Sequence, residues 1–330
     1  MSPSAQKQVS MWSRKMIDVT PLTDSTSLIG DAAALRQRYE DEGALYLRGV
    51  MDPELIAWAR EKYRGALADE GLIDPVVEAP VWTGRVTKTW RPCDALGTTV
   101  WHEVVKQPEL NAIMRDIFDA EPVWIPIAAH RSGFPTGPVA EGQDIFSGRH
   151  QDGFYNEGML FTICWMPIRD VDMDSGSFAV APGTHKRGIL HDTSVEGNAI
   201  PFGTIPEDAW RSADFRVGDV LIFNYLTAHT ALPNPSDEIR MSLDVRAIPA
   251  WAPQPVIGAV DSVDGTDVTI RTEDDELVTV HVSDETLIRD MNPWPRIPTN
   301  ELERIAYPGA HVMAMAREDR SVTVLRRNFY

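Results

Sequence analysis

The sequence has few cysteines, few basic residues and no long apolar run. Its 330 residues include only two cysteines, Cys93 and Cys164, so we expect neither a disulfide scaffold nor a thiolate metal site. Lysine and arginine number 31 against 49 aspartates and glutamates, which gives a formal net charge of −18. A surface this acidic repels phosphate backbones and anionic lipid headgroups, and no apolar run approaches the roughly 20 residues that cross a bilayer. We therefore expect neither a nucleic-acid partner nor a membrane partner.

The composition is that of a globular chain that can bury a core. Hydrophobic residues make up 43% of the sequence and charged residues 24%, close to the average for soluble proteins. The first 20 residues are polar and mixed, without the apolar centre of a signal peptide. We interpret them as a loose lead-in and expect a soluble protein of the reducing cytoplasm.

Helix signals dominate the first third of the chain. An aspartate directly before a proline, as at Asp52-Pro53, is typical of a helix start, because proline at the first helical position has no amide hydrogen to leave unbonded. The predicted elements are a helix over 31–42 ended by Gly43, a strand over 44–50, a helix from Asp52 to about Glu70, and a helical stretch over about 97–119 that Pro108 can interrupt.

The middle of the chain predicts a β-rich core. Short runs of β-branched and aromatic residues over 123–249 alternate with glycine, proline, asparagine and aspartate, a pattern typical of a sandwich or barrel. The tail is proline-rich and then acidic, with one strand of a small hairpin predicted over 276–282. We expect a single domain over 1–330, consisting of a helix-rich part (1–122), the β core (123–249) and a C-terminal extension packed on the core (250–330).

Metal-ligating chemistry is indicated by His150 and Asp152. Side chains at positions i and i+2 of a strand share one face, so we expect the imidazole and the carboxylate to project side by side. Two histidines and one carboxylate form the face that holds ferrous iron in non-heme oxygenases. The third ligand has to come from elsewhere in the chain.

His229 is the best candidate for the third ligand. It follows an apolar strand and precedes a dense turn signal, after which a strand opens at Arg240. A hairpin here would place His229 and Arg240 on neighbouring strands. The other candidates are His102, His130, His185, His191, His281 and His311; we expect His102, His191, His281 and His311 to lie at the surface and His185 to make a structural hydrogen bond.

The charges of such a site balance. Ferrous iron with one aspartate leaves +1, 2-oxoglutarate brings −2, and Arg240 brings +1, so that the pocket is nearly neutral, as a buried site must be. Arginine also suits a distal carboxylate because its planar fork donates two parallel hydrogen bonds.

Four blocks in a fixed order then lead to a family. They are His150-Gln151-Asp152; Cys164-Trp165-Met166-Pro167 with Asp170-Val171-Asp172; Ser175-Gly176-Ser177 leading into Ala181-Pro182-Gly183-Thr184-His185-Lys186; and His229 with Asn234, Ser236 and Arg240. The segment from His150 to Arg246 resembles the phytanoyl-CoA dioxygenase (PhyH-like) family of Fe(II)/2-oxoglutarate-dependent oxygenases. The step of eleven residues from His229 to Arg240 matches the step in that family from the distal metal histidine to the arginine that binds 2-oxoglutarate.

The resemblance implies a mainly β fold with flanking helices, built on a double-stranded β-helix (jelly-roll, cupin-like) core with N-terminal helices. It implies Fe(II) bound by His150, Asp152 and His229, and 2-oxoglutarate held by Arg240 with help from Trp165. Dioxygen is then the second co-substrate, and the reaction releases succinate and CO2. The carboxylate of Asp152 favours hydroxylation over halogenation, because related halogenases carry a small residue there.

The substrate is not encoded in these motifs. We expect a small metabolite or a natural-product intermediate, with the segments 74–98 and 132–148 shaping the pocket. Two other functions remain open at this point, namely a zinc hydrolase with the same three ligands and a non-enzymatic jelly-roll binding protein.

Overall fold

The helices cluster in the N-terminal third. The computed structural model of the chain describes residues 19–86, 92–156, 158–194, 199–290 and 296–327. Residues 1–18 of the predicted lead-in, and 87–91 of the predicted pocket segment 74–98, lie outside these ranges. The α-helices are α1 (Ala32–Glu42), α2 (Pro53–Asp69), α3 (Trp101–Val104), α4 (Pro108–Phe118) and α5 (Asp152–Tyr155). Short 3-10 helices span Thr26–Leu28, Pro92–Leu96, Met173–Ser175, Thr184–Arg187, Glu207–Ala209 and Thr299–Arg304.

The strands form three sheets among the described residues. They are β1 (Thr20–Pro21), β2 (Ala44–Leu47), β3 (Pro122–Gly133), β4 (Thr162–Pro167), β5 (Phe178–Ala181), β6 (Arg211–Ser212), β7 (Val220–Asn224), β8 (Ala228–Ala231), β9 (Arg240–Pro249), β10 (Val256–Asp264), β11 (Asp267–Thr272), β12 (Leu277–His281), β13 (Leu287–Arg289), β14 (His311–Ala316) and β15 (Val322–Arg327). A five-stranded sheet has the order β2-β7-β4-β9-β3, a four-stranded sheet the order β1-β6-β5-β8, and a six-stranded sheet the order β12-β11-β10-β14-β15-β13.

Helix boundaries follow the predicted signals. Asp31 caps α1 by accepting a hydrogen bond from the Ala34 amide (3.0 Å), and Gly43 ends it in the left-handed conformation at φ 69°. Asp52 caps α2 through the Glu54 amide (2.8 Å). The third stretch is divided before Pro108, as predicted, into α3 and α4, and its first residues form turns instead of α-helix.

The five-stranded and four-stranded sheets face each other and form the predicted jelly-roll core. Aromatic side chains fill the space between them: Tyr46, Trp165 and Phe223 from the larger sheet and Phe178 from the smaller one are all buried. On its other face the five-stranded sheet is covered by the buried sides of α1, α2 and α4. Because side chains alternate along a strand, β9 directs Met241, Leu243, Val245 and Ala247 toward those helices, and its even-numbered residues toward the space between the sheets.

The C-terminal sheet is larger than the hairpin predicted for 276–282. The hairpin itself is confirmed, because β12 pairs antiparallel with β11, but β10, β13, β14 and β15 extend it. This sheet packs on the jelly roll through Ile257, Met313, Met315 and Val324, which share a hydrophobic cluster with core residues such as Ile125.

A chain of hydrogen bonds also joins the C-terminal sheet to α5. The Arg326 guanidinium donates to Asn156 Oδ1 (2.6 Å), and Asn156 Nδ2 donates to the Asp152 carbonyl oxygen (2.9 Å). From β13, Arg289 donates to the Phe154 carbonyl oxygen (2.9 Å) and lies over its ring. The C-terminal sheet therefore supports the helix that begins at Asp152.

Two geometric expectations about the site are wrong. Asp152 does not share a strand with His150, because α5 begins at Asp152. His229 and Arg240 are not hairpin neighbours, because β8 belongs to the four-stranded sheet and β9 to the five-stranded one. The turn after His229 carries the chain from one sheet across to the other, so that the two residues approach the interior from opposite walls.

Candidate metal centre

Three predicted ligand side chains converge between β8 and the start of α5. His150 Nε2 and His229 Nε2 each lie 3.7 Å from Asp152 Oδ1. One ligand atom of each residue lies within 4.8 Å of the other two. His150 is fixed beside β8 by two backbone hydrogen bonds, from its amide to the His229 carbonyl oxygen (3.0 Å) and back (2.9 Å). The prediction that His150, Asp152 and His229 come together is thus met in the folded chain.

Both imidazole rings are oriented by backbone carbonyl groups. His150 Nδ1 donates to the Gly148 carbonyl oxygen (2.8 Å), and His229 Nδ1 donates to the Thr227 carbonyl oxygen (2.9 Å). A carbonyl oxygen can only accept, so each Nδ1 carries the proton and each Nε2 presents its lone pair. Such hydrogen bonds on the far nitrogen are the usual way in which proteins aim a metal-binding histidine.

The protonation states also suit metal binding. Burial lowers the pKa of His229 to about 3, with help from the nearby His150 ring, and burial lowers the pKa of His150 as well. Burial alone would raise the pKa of Asp152, but Arg246 and the two histidines outweigh it and hold this pKa well below its usual range. The site therefore presents two neutral imidazoles and one carboxylate, the forms that bind a divalent cation.

Gln151 lies between the two ligands His150 and Asp152, and its contacts explain how their side chains converge although the two residues do not share a strand. Its fully buried side chain points away from the metal centre, donating to the carbonyl oxygens of Gly188 (2.9 Å) and Leu226 (2.6 Å) and accepting from the Leu190 amide (2.7 Å). Its own amide donates to His191 Nε2 (2.8 Å). These bonds turn the chain sharply, so that Asp152 begins a helix and still faces His150.

His191 therefore lies beside the site, which corrects its expected surface position. Its ring stacks on Phe154, with centroids 4.2 Å apart and planes 4° apart. Nothing in the sequence around His191 indicates this role, because its partners lie about 40 residues away. His185 makes the predicted structural hydrogen bond, through Nε2 to the Glu40 carbonyl oxygen (3.0 Å).

A polar stripe runs along the inner face of β9. It consists of Arg240, Ser242, Asp244 and Arg246, every second residue of a strand whose ten residues are all buried. On one side of the stripe, β3 places Gly133 opposite Arg240 and Arg131 opposite Ser242. On the other side, β4 places Trp165 opposite Asp244. Sequence reasoning identified only Arg240 in this stripe, although the alternation of polar residues within 240–246 was there to be seen.

The half of the stripe formed by Asp244 and Arg246 is hydrogen-bonded to the metal centre. Arg246 donates to Asp152 Oδ2 from Nη2 (2.6 Å) and from Nε (3.2 Å), and to Asp244 Oδ2 from Nη2 (2.9 Å). Arg131 in turn donates to Asp244 Oδ1 (3.1 Å) and Oδ2 (3.3 Å). These residues add two positive charges and one negative charge to the predicted balance of the pocket.

The other half of the stripe, around Arg240, contains buried polar atoms that have no hydrogen-bond partner among the described residues. They are Arg240 Nε, Ser242 Oγ and, on the neighbouring strand, Trp165 Nε1. Arg240 makes one hydrogen bond, from Nη1 to the Gly176 carbonyl oxygen (3.2 Å), and burial together with the charge of Arg131 lowers its pKa to about 10. Buried donors without partners cost free energy, so this region favours an anionic ligand.

The ring of Trp165 packs in the hydrophobic core. Its ring stacks on Phe178 at 5.1 Å and meets the edge of Phe215 at 4.8 Å, and only 1% of the residue is exposed. It is thus part of the core between the sheets, with only its indole nitrogen left for a ligand.

Comparison with known proteins places this site in a family. The sequence profile of phytanoyl-CoA dioxygenase (PhyH) matches residues 39–242. The chain is 30% identical over 248 residues to the 1-deoxypentalenic acid 11-beta-hydroxylase of Streptomyces arenae and 29% identical to that of Streptomyces exfoliatus; each match covers 69% of this chain and 84% of the relative.

Solved structures similar to this chain have low sequence identity to it. The epimerase SnoN, crystallised with Fe3+, alpha ketoglutarate and nogalamycin RO, is 21% identical, with a TM-score of 0.48 over 68% of this chain and 85% of SnoN. Within the described part of the chain, no helix has both the length and the apolar character to cross a membrane. The matched profile spans all three converging ligands and Arg240, and on this ground the chain belongs to the phytanoyl-CoA dioxygenase family.

Proposed function

We propose that the protein is an Fe(II)- and 2-oxoglutarate-dependent dioxygenase that hydroxylates a small natural-product intermediate. The observation that carries this proposal is the placement of two complementary sites on facing walls. A two-histidine, one-carboxylate centre lies at β8 and α5, and a buried cationic region with unpartnered donors lies on β9. A metal centre alone serves many reactions, whereas the second site supplies a place for the keto acid.

The donor set fits ferrous iron. Two imidazole nitrogens and one carboxylate oxygen on the same side of an ion leave its other side open, as non-heme oxygenases require. When bound, the iron couples oxidative decarboxylation of 2-oxoglutarate to oxidation of a C–H bond. The protein's part is to hold His150, Asp152 and His229 in their ligating forms through the Gly148, Thr227 and Arg246 contacts.

The region around Arg240 fits the distal carboxylate of 2-oxoglutarate. Arg240 is only 8% exposed, so an anion there would exchange ion–dipole contacts with water for charge-assisted hydrogen bonds in a dry environment. We assign Arg240 as the charge partner, with Ser242 Oγ and Trp165 Nε1 as further donors. Arg240 Nε and these two atoms are buried and lack a partner among the described atoms. Gly133, opposite Arg240, leaves space for the guanidinium group, because a Cβ at this position would lie 2.8 Å from Arg240 Nε.

The zinc hydrolase is disfavoured by the absence of a suitable base among the described groups beside the centre. Asp244 is bonded to Arg131 and Arg246, which outweigh the effect of burial and lower its pKa. Burial raises the pKa of Tyr155, whose ring lies 5.9 Å from that of His150, to about 12. A non-enzymatic binding protein is disfavoured by the similarity to hydroxylases, which covers 69% of this chain and 84% of each relative.

The substrate should approach at the open side of the centre. The side chains of His150 and Arg131 are each 29% exposed, whereas His229 and Arg246 are buried. Counting iron, 2-oxoglutarate, Asp152, Asp244 and the three arginines gives a net charge of +1 in this region. That surplus favours a substrate with an acidic group, in line with the acid named as the substrate of the curated relatives.

An anaerobic titration tests the assignment. We expect the purified protein loaded with Fe(II) to develop a weak visible charge-transfer absorption on addition of 2-oxoglutarate, and His150→Ala to develop none. In air, succinate should form in a 2-oxoglutarate-dependent way, and 1-deoxypentalenic acid, the acid in the name of the relatives, is the first substrate to screen. Absence of the absorption band with iron bound, or hydrolytic activity with zinc and no succinate, would overturn the proposal.

A further inference from the structure

Four charged side chains form an unbroken row from the partly exposed Arg131 to the metal centre. They alternate in sign: Arg131, Asp244, Arg246 and Asp152. Successive hydrogen bonds of 3.1, 2.9 and 2.6 Å join them. Apart from Arg131 the row is buried. Buried ions are retained only when they are paired and hydrogen-bonded, and here each charge compensates the next, so the row as a whole is neutral.

The row ends on one particular oxygen of the ligand carboxylate. Both contacts from Arg246 go to Asp152 Oδ2, whereas Oδ1 is the atom that lies 3.7 Å from each histidine nitrogen. The two oxygens of Asp152 are therefore already distinguished before any metal binds. One oxygen is directed to the histidines, and the other is engaged by a guanidinium group.

We propose that Arg246 is a positioning residue that makes Asp152 a one-oxygen ligand, an inference that rests on the proposed function. A carboxylate next to a metal ion can offer one oxygen or two. A second oxygen from Asp152 would occupy a position needed by 2-oxoglutarate or dioxygen. Arg246 prevents this, because Oδ2 cannot turn toward the metal without leaving a buried guanidinium with part of its bonding lost.

The rest of the row keeps Arg246 itself in place. Its Nη1 donates to the Ile127 carbonyl oxygen (2.9 Å) and its Nη2 to Asp244 Oδ2 (2.9 Å), so the planar group is fixed on β3 and β9 as well as on Asp152. Asp244 is held in turn by Arg131 through both carboxylate oxygens. The role we assign thus depends on the fork geometry of arginine, and a lysine at 246 would retain the charge without the two-point contact.

The test uses Co(II) as a spectroscopic probe, in the absence of 2-oxoglutarate and of turnover. We compare the wild type with Arg246→Ala and Arg246→Lys by titration, following the d–d absorption that reports the number of ligands. Arg64→Gln is the matched control: Arg64 is also largely buried, at 12% side-chain exposure, and donates to backbone carbonyl oxygens including that of Val77 (2.8 Å), away from the centre.

We expect Arg246→Ala to bind Co(II) about 10- to 100-fold more weakly, the usual effect of removing a group that orients a ligand, and with a spectrum of higher coordination number. Guanidinium at millimolar concentration should restore the wild-type spectrum. Arg246→Lys should fold and bind with an intermediate affinity, and Arg64→Gln should bind as the wild type does.

The inference fails if Arg246→Ala, or Arg246→Lys should the alanine variant not fold, keeps the wild-type spectrum and an affinity within threefold. It also fails if guanidinium restores nothing in a folded alanine variant. If instead the wild type itself does not bind Co(II) through His150 and His229, the proposed function fails with it, so the two failures are distinguishable.

Discussion

Replacing Arg240 removes the buried guanidinium to which we assign the distal carboxylate of 2-oxoglutarate. Two parallel charge-assisted hydrogen bonds would be lost in Arg240→Met, each worth about 1.5–3 kcal/mol. The loss is therefore at least about 3 kcal/mol, and since about 1.4 kcal/mol corresponds to a factor of ten, the dissociation constant of 2-oxoglutarate should rise more than about 100-fold. Arg240→Lys keeps the charge but donates along one direction, so a rise of about tenfold is expected.

The assay is calorimetric or spectroscopic titration of the metal-loaded protein with 2-oxoglutarate in the absence of oxygen. Metal affinity is measured in parallel and should be unchanged, because Arg240 contacts none of the three ligands. Met241→Leu serves as the control, since this neighbouring side chain packs against the helix layer and the replacement conserves volume. If Arg240→Met bound 2-oxoglutarate within threefold of the wild type while still binding metal, the assignment of this region to the keto acid would be refuted.

Other predictions concern stabilisation by the metal, the space that Gly133 leaves for Arg240, and the pH dependence of the unfolding free energy. Metal at 100 times its dissociation constant should stabilise the wild type by about 2.7 kcal/mol, and His229→Ala should show no such shift in thermal denaturation. Gly133→Ala should displace Arg240, since the new Cβ would lie 2.8 Å from its Nε, and weaken 2-oxoglutarate binding without altering metal affinity; equal binding would contradict this. The pKa of Asp244 is lowered in the fold, so its contribution to stability is present above the unfolded value of about 3.9 and is lost as the pH falls through the folded value. The difference in unfolding free energy between wild type and Asp244→Asn, about 3–5 kcal/mol at neutral pH, should narrow in acid, and a constant difference would count against the buried pairing.

The ligands could be predicted from sequence because their residue types and order are constrained by chemistry. The site needs a histidine, an aspartate two residues later, and a distant histidine followed by an arginine. A chain with only eight histidines offers few combinations of residues in this order. Their local geometry could not be predicted. His150 and Asp152 were expected on one strand, but the burial of the Gln151 side chain bends the backbone there, and its hydrogen-bond partners at Gly188 and Leu226 are distant in sequence.

Long-range pairing limited the rest of the prediction in the same way. The partners of Asp244 and Arg246 come from β3 and α5, so the row of charges exists only once three separate segments have met. The polar alternation of β9 is nevertheless visible within 240–246, and polar residues at every second position of an otherwise apolar strand indicate a lined interior. Only a hairpin of the C-terminal sheet could be predicted, because β13 and β15, which pair in parallel, are separated by more than 30 residues.

The support that the C-terminal sheet gives to α5 links the dynamics of two distant parts of the chain. Arg326 on β15 reaches the backbone of Asp152 through Asn156, so fixing this aspartate on a metal ion also fixes its outer partners. Amide hydrogen exchange in β15 should therefore slow when metal binds, whereas β12, at the far edge of the same sheet, should exchange at its former rate. The tail of the chain would thus report, through its own protection factors, whether the iron site is filled.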